Sequence, residues 1–248
     1  DLMHQNLLIS KNEREICLGI KILEYDTSPA RVDTLISFIH HTSIRVSRTA
    51  AHALAIAATK ADYIHSPAIV EILISTNDTA IRMPCLRALG RCGDSSIVRD
   101  VIISSIHLLP EERREAERAL SSLGLSTVPI LLSLIKDTTI HNTCRILAAR
   151  ILGRLSSPQL HANLLTIVNA EIDRTYTFFY HAHTIQKSHP QYDLSLLAKA
   201  LLSGCYSSLD FVLQLLSITG SLDDSELISR SLQNKSIKIQ GRAVETLE

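Results

Sequence analysis

Residues 81–94, IRMPCLRALGRCGD, contain the pattern that decides the fold of this 248-residue chain. The small residue Cys85 is followed four positions later by Leu89, so both side chains lie on one face of a helix. The same pair recurs at intervals of 31 to 35 residues as Gly19 with Leu23, Ala50 with Leu54, Ala116 with Leu120 and Ala148 with Leu152. Ala243 with Leu247 fits a later copy. Self-similarity at such a period predicts stacked helical repeats.

Each period also contains a second apolar segment ahead of this motif. These segments space Leu, Ile and Val at i, i+3 and i+4, and they are residues 32–39, 68–74, 97–106, 128–135 and 160–168. Two helices per repeat are therefore predicted. After Arg154 the pattern loosens into helices of uneven length, at residues 163–186, 194–202, 209–218 and 225–232.

The repeats predict an all-α fold, a right-handed α-solenoid of about seven to eight helix pairs. The composition agrees, because aromatic residues make up 4%, there is no Trp, and eight Gly and seven Pro are few for a turn-rich β protein. No linker long or polar enough to separate domains is visible. We therefore predict one array over residues 1–248, regular over 1–157 and less regular over 158–248.

The five cysteines include no C-x-x-C pair, which predicts free thiols in a reducing, cytoplasmic compartment. Cys85 and Cys92 are seven residues apart and share a helix face. They could form a redox or metal pair, but two buried small residues are the favoured interpretation. No membrane span is predicted, since the charge-free run 119–135 is interrupted by Gly124 and Pro129. The missing initiator Met and the helical pattern at the end of the chain predict a piece of a longer protein.

The motif resembles the HEAT family of repeats. The matching features are the basic residue, the paired small positions and the Leu-Gly of IRMPCLRALGRCGD and of CRILAARILGRL at residues 144–155. The likeness is to the short bacterial form related to the repeats of phycobilisome lyases. It implies a non-enzymatic scaffold for binding proteins, in a cytoplasmic and bacterial setting.

The later segments suggest a second resemblance. The order EIDRTYTFFYHAHTIQ, LSLLAKALLSG, LDFVLQLLSITG and IQGRAVETLE, within residues 171–248, is similar to the HEAT region of large bacterial membrane proteins. Those proteins join a nucleotide-transporter-like part to HEAT repeats and often to a cyclic-nucleotide-binding domain. The alternative function implied is a cytosolic regulatory or sensing module attached to such a protein.

A column of mostly basic residues stands two positions after the small residue, rotated by about 200° from it. Its members are Lys21, His52, Arg87, Arg118 and Arg150, with Glu245 at the end. Because equivalent positions align in stacked repeats, the column predicts a basic stripe on the concave face.

Residues 82–154 carry 11 Lys and Arg against 7 Asp and Glu. The stripe, completed by Arg91 and Arg154, is predicted to bind an acidic protein segment or peptide. The alternative is a solvated face paired with acids such as Glu115 and Glu117.

A second column, three positions before the small residue, contains Arg82, Arg113 and Arg145. Asp78, Glu112 and Asp137 lie near these arginines in the sequence. A residue at this position in HEAT-like repeats usually bonds between adjacent repeats. We therefore predict a structural role for this column.

Other chemistry is disfavoured by the sequence. The chain has 25 Lys and Arg against 25 Asp and Glu, and no aromatic residue stands among the central arginines to stack on a base, so nucleic acid is not the expected partner. The eleven histidines form no His-Glu-x-x-His, so neither a metal nor a cofactor is predicted. No phosphate loop, nucleophile elbow or paired carboxylate motif is present, so no catalytic residue is predicted. The aromatic residues 176–180 are expected to form the core of a larger repeat rather than a ligand pocket.

Overall fold

The computed structural model describes residues 6–188 and 191–220. All regular structure in these residues is helical, which confirms the all-α prediction for them. The helices are α1 Glu13–Leu23, α2 Arg31–Ile39, α3 Ile44–Ala57, α4 Ser66–Ser75, α5 Thr79–Cys92, α6 Val98–Ser104, α7 Pro110–Ser121, α8 Val128–Lys136, α9 Asn142–Arg154, α10 Pro158–Ser188 and α11 Ser195–Ile218. Short 3₁₀ turns, Lys60–His65, Ser105–His107 and Gly124–Thr127, lead into or extend these helices.

The contacts divide the chain into two compact units, Asp1–Leu131 and Leu132–Glu248. The division falls inside α8 rather than at a polar linker, which is why the sequence gives no sign of it. We call α1, α3, α5, α7 and α9 the motif helices, because they contain the repeated small residue and Leu.

In the first unit the motif helices pack on one another in chain order, α1 on α3, α3 on α5 and α5 on α7. The helices α2, α4 and α6 each pack on the motif helix that follows them. The small residue and the Leu of each motif helix, in both units, are buried: Gly19, Leu23, Ala50, Leu54, Cys85, Leu89, Ala116, Leu120, Ala148 and Leu152. The predicted register is thereby confirmed for the described residues; Ala243, Glu245, Leu247 and the helix predicted at 225–232 lie outside them.

The Leu-Gly of the motif is explained by a close approach between helices. A Cβ added to Gly90 would stand 2.9 Å from the Cα of Ala119, so α5 and α7 meet there with no room for a side chain. A Cβ on Gly153 would stand 3.0 Å from Cγ2 of Ile218 on α11. Glycine therefore sets the spacing at both places.

Helix ends follow from local chemistry. Asp78 caps α5 by accepting a hydrogen bond of 2.9 Å from the N–H of Ala80. Gly93 ends the same helix with a φ of 73°, a left-handed conformation that favours glycine. The N–H of Leu109 donates to Glu112 at 2.8 Å ahead of α7. These signals place the turns between the helices of the first unit.

In the second unit, α10 and α11 pack along each other and α9 packs on both. One prediction is wrong here: the segments 194–202 and 209–218 form one continuous helix, α11. The long helix predicted at 163–186 is present as part of α10, which also contains the segment 160–168. Gly204 does not stop α11, because it is an interior position where a Cβ would stand 3.1 Å from the ring of Phe178. No proline follows to break the helix.

The prediction that residues 176–180 form a core is also wrong. Tyr176 is 70% exposed, Phe179 49% and Tyr180 65%. Phe178 alone of the four aromatic residues is half-buried, against Gly204 of α11. Tyr176, Phe179 and Tyr180 do lie on one side of α10. However, α11 covers the neighbouring side of that helix, where Phe178 and the buried Ala182 lie. Periodicity defines a face and does not say which face is covered.

By length and apolar composition, one described helix, Ser195–Ile218, could cross a membrane. The sequence predicts two shorter helices here, and their merger into α11 produces a helix of this length. A core helix of a soluble protein has the same composition, and α11 packs on α9 and α10. Two further helices, Pro110–Ser121 and Gly124–Lys136, reach such a length and composition only when they are joined, and the chain bends by 110° between them.

Candidate functional site

The predicted basic column is exposed on the motif helices. In the first unit, Lys21 lies on α1, His52 on α3, Arg87 on α5 and Arg118 on α7, each with its side chain toward solvent. We call these four residues the basic row. Because their helices pack in chain order, the row follows one face of the unit, opposite to the buried small residues. Arg150 and Arg154 are exposed on α9 and belong to the second unit.

The centre of the row is organised around a buried acid. Glu115 of α7, with 9% of its side chain exposed, accepts a hydrogen bond of 3.0 Å from Nε of Arg87. It accepts a second, of 2.8 Å, from Nη1 of Arg118. The side chains of Arg87 and Arg118 remain 48% and 62% exposed. The predicted pairing with Glu115 is therefore present, and a large part of each guanidinium still faces water.

Two further cations of the predicted stripe, His52 and Arg91, contact residues of their own unit. Nδ1 of His52 lies 3.8 Å from Oε1 of Glu24, an acid that the sequence analysis did not single out. Arg91, one turn after Arg87, donates from Nη1 to the carbonyl oxygen of Ile56 at 2.7 Å. That carbonyl is in the last turn of α3, where the helix dipole favours a cation. Arg91 thus fastens α5 to α3.

Sequence reasoning missed further exposed cations on this face, among them Arg45. Arg45 stands seven residues before His52 on α3 and is exposed. Seven residues are close to two helical turns, so both side chains share one side of the helix. The sequence contains this signal, but Arg45 stands at a different offset from the small residue than His52 does.

The second column is structural, as predicted for Arg82. Its guanidinium is buried and lies 3.5 Å from Oε2 of Glu112 on the next motif helix. It also donates to Oδ1 of Asn77 at 2.9 Å. Asp78 is not its partner, because that carboxylate pairs with Nε of Arg48 at 2.7 Å. The hydrogen bond from Arg48 lowers the pKa of Asp78.

The same column behaves differently at its other two positions. Arg113 bonds within its own repeat, donating from Nε to the carbonyl oxygen of Leu108 at 2.9 Å. Arg145 is the most completely buried arginine of the described residues, at 1% exposure, and Nη2 lies 2.6 Å from Oε1 of Glu171. Asp137, the expected partner, instead accepts from the hydroxyl of Thr139 at 2.5 Å. The pairing residue is farther along the chain than the sequence suggested.

The cysteines lie where the sequence places small core residues. All five, Cys17, Cys85, Cys92, Cys144 and Cys205, are buried and free. Burial raises the pKa of the Cys85 thiol to about 12 and that of Cys92 to about 11. Thiols in this state are poor nucleophiles near neutral pH. This supports packing over redox chemistry for the pair on α5.

We expect the native protein to resist labelling by a chromogenic disulfide reagent between pH 7 and 9. The pKa values of Cys85 and Cys92 lie well above that range, so only a small fraction of either thiol is thiolate and both should react slowly throughout it. Labelling after unfolding in guanidinium should be fast and should count five thiols. Rapid native labelling of Cys85, located by mass spectrometry, would show that the register of α5 is wrong.

Among residues 6–188 and 191–220, no three His, Cys, Asp or Glu side chains come together in a way that could hold a metal ion. Two pairs of histidines that are close in sequence do not change this. His40 and His41 close α2, and His181 and His183 lie on α10. On the accessible face of the first unit, the basic row brings two exposed arginines together on Glu115.

No family model matches the chain, and no curated protein matches it significantly. Among solved structures, an engineered protein from the Northeast Structural Genomics Consortium is similar over the whole of this chain and 67% of its own length. The two share 17% of residues, with a TM-score of 0.43. A likeness at this level assigns neither a family nor a function, so the resemblances to HEAT-containing proteins stay predictions.

Proposed function

We propose that this chain is a non-catalytic, cytoplasmic protein-binding scaffold whose helix pairs stack as a right-handed α-solenoid of HEAT-like repeats. The face of the first unit that carries the basic row binds an acidic segment of a partner protein. The observation that supports this most is the placement of Lys21, His52, Arg87 and Arg118 on the exposed sides of four consecutive, packed motif helices.

The chemistry at the centre of the row suits a carboxylate ligand. Glu115 engages Nε of Arg87 and Nη1 of Arg118, which restricts both long side chains. Preorganised guanidinium groups lose less conformational entropy when a second carboxylate binds. Arginine also presents a planar fork that matches a carboxylate in a bidentate way. Glu115 is thus a positioning residue for two arginines that a partner can reach.

The expected affinity is modest. An exposed ion pair contributes about 0.2–1 kcal/mol, and Glu115 already offsets part of the positive charge. Useful affinity therefore needs several contacts along an extended acidic segment, and it should weaken as salt increases. The basic row therefore suits an acidic segment whose parent protein also contacts this chain elsewhere.

The direct test is binding of a fluorescein-labelled twelve-residue peptide of alternating Glu and Ser to the full chain, measured by fluorescence anisotropy. The variant R87Q/E115Q/R118Q removes both arginines together with the buried acid, so no buried charge loses its partner. We expect it to bind the peptide about fivefold more weakly, the loss of two exposed charge pairs.

The matched control is K60Q/R99Q. Both residues are exposed and lie outside the motif helices, and this variant loses more net charge than the triple variant does. It should bind the peptide almost as the wild type does. Equal weakening by the two variants would reveal a nonspecific charge effect, and unchanged binding by the triple variant would refute the row as the site.

A further inference from the structure

An apolar groove lies on the other helix layer of the first unit. It runs between α4 and α6, the first helices of two consecutive repeats, and has a volume of about 580 Å³. Its apolar lining is formed by Pro67, Val70, Ile74, Ile103 and Ile106. None of these residues belongs to the basic row or to its contacts.

Three isoleucine side chains that line the groove are partly exposed to solvent. Ile74 is 56% exposed, Ile103 40% and Ile106 39%. Three aliphatic side chains of this size at one place are more than the single exposed apolar residues found on any surface. Exposed aliphatic area of this kind favours contact with another apolar surface.

The geometry of the repeats explains why the groove stays open. The motif helices α5 and α7 meet closely because Gly90 has no side chain to separate it from Ala119. The helices α4 and α6 have no glycine at their facing positions and present isoleucines there instead. The motif helices α5 and α7 are therefore closely packed, whereas α4 and α6 are farther apart. This difference leaves a groove between α4 and α6.

The rim of the groove is acidic. Glu71 on α4 and Asp100 on α6 both line it, and both are exposed. Neither carboxylate forms an ion pair with any residue in the described part of the chain. His107, Ser75 and Ser104 complete the polar lining, and His107 also accepts a hydrogen bond from Arg82 at its carbonyl oxygen. A ligand with aliphatic groups and positive charge would match both features.

We propose that this groove is a second docking surface, which binds an amphipathic segment of a partner protein with aliphatic residues on one face and Lys or Arg beside them. The isoleucines bury the aliphatic side chains, and Glu71 and Asp100 pair with the flanking cations. Binding of an apolar helix face in a groove between helices is a recurring mode of peptide recognition. Its charge preference is opposite to that of the basic row, so the two surfaces select different segments.

The test selects sixteen-residue peptides from a display library on the full chain and discards those that also bind the variant I74D/I103D. Enriched sequences should combine aliphatic residues at i and i+3 or i+4 with an excess of Lys and Arg. The best peptide is then labelled and measured by anisotropy. The variant I74S/I103S should weaken it by about tenfold or more, because two aliphatic contacts are lost. The variant E71Q/D100N should weaken it by about threefold in low salt.

The control I44S/E111Q replaces an exposed isoleucine and an exposed acid outside the groove and should leave the affinity unchanged. The variant R87Q/E115Q/R118Q should also leave it unchanged, which separates this proposal from that for the basic row. The proposal is overturned if no groove-dependent peptide is enriched or if the enriched peptides are acidic. It is also overturned if the chain self-associates and I74S/I103S abolishes this, since a second copy would then be the occupant.

Discussion

Replacing Arg145 by Met is expected to lower the free energy of unfolding by about 3–5 kcal/mol, the largest single effect we anticipate. Arg145 joins all three main helices of the second unit. From α9 it bonds Glu171 of α10 at 2.6 Å, and its guanidinium carbon lies 3.9 Å from the ring centre of Phe211 on α11. Without it, Glu171, with 1% of its side chain exposed, keeps an ion pair only with Arg174 among the described residues, at 3.8 Å. Denaturation in guanidinium, followed by circular dichroism, measures the loss.

Two variants show whether the loss comes from the weakened pairing of buried Glu171. R145M/E171M removes both members of the pair and should recover much of the stability, because apolar replacements of a buried ion pair are often close to neutral. R150M changes an exposed arginine on the same helix and should shift stability by about 0.5 kcal/mol or less. If R145M were as stable as R150M, Arg145 could not be buried against Glu171.

Replacing Cys85 by Phe is expected to cost about 1–3 kcal/mol or more, because the larger ring does not fit a well-packed interior. Cys85 is fully buried at 0% exposure, and its helix α5 packs on α3, α4 and α7. Overpacking at this point disturbs three helix contacts together. The same denaturation experiment measures the effect.

The control for this variant lies on the same helix. Ala80 is exposed in the first turn of α5, so A80F adds the same ring without a steric clash. It should change stability by about 0.5 kcal/mol or less. Equal effects of C85F and A80F would mean that the small residue of the repeat does not point into the core.

The repeat register could be predicted from the sequence because packing leaves a strong local signature. A small residue and a Leu four positions apart must share a helix face, and their recurrence fixes which face is buried. The exposure of Arg87 and Arg118 followed from the same geometry. Their shared partner Glu115 was within reach of prediction because it lies three residues before Arg118 on one helix.

Features that depend on distant residues could not be predicted in the same way. The partner of Arg145 is Glu171, 26 residues away, on a helix that the sequence presents as irregular. The ion pair between Arg31 and Asp62 is likewise buried and joins residues that are 31 positions apart in the sequence. No sequence motif indicates this pair. Such pairs become visible only when the spacing between repeats is known in three dimensions.

The groove between α4 and α6 shows a related limit of pattern reading. Ile74, Ile103 and Ile106 were counted as parts of apolar helix faces, which predicts burial. The structure leaves them partly exposed because their neighbouring helices stand apart. An aliphatic residue at the outer edge of a helical stripe is the only local hint.

The most direct measurement of the proposed function is a titration of the full chain with the Glu and Ser peptide, followed by NMR of the arginine Nε–Hε groups. Assignments come from single Arg-to-Lys variants. The proposal predicts that the signals of Arg87 and Arg118 shift first and together, while those of buried Arg82 and Arg145 and of exposed Arg99 stay in place. If the signals of Arg87 and Arg118 did not move, or if Arg99 moved as much as they did, the basic row would not be the binding site for an acidic segment.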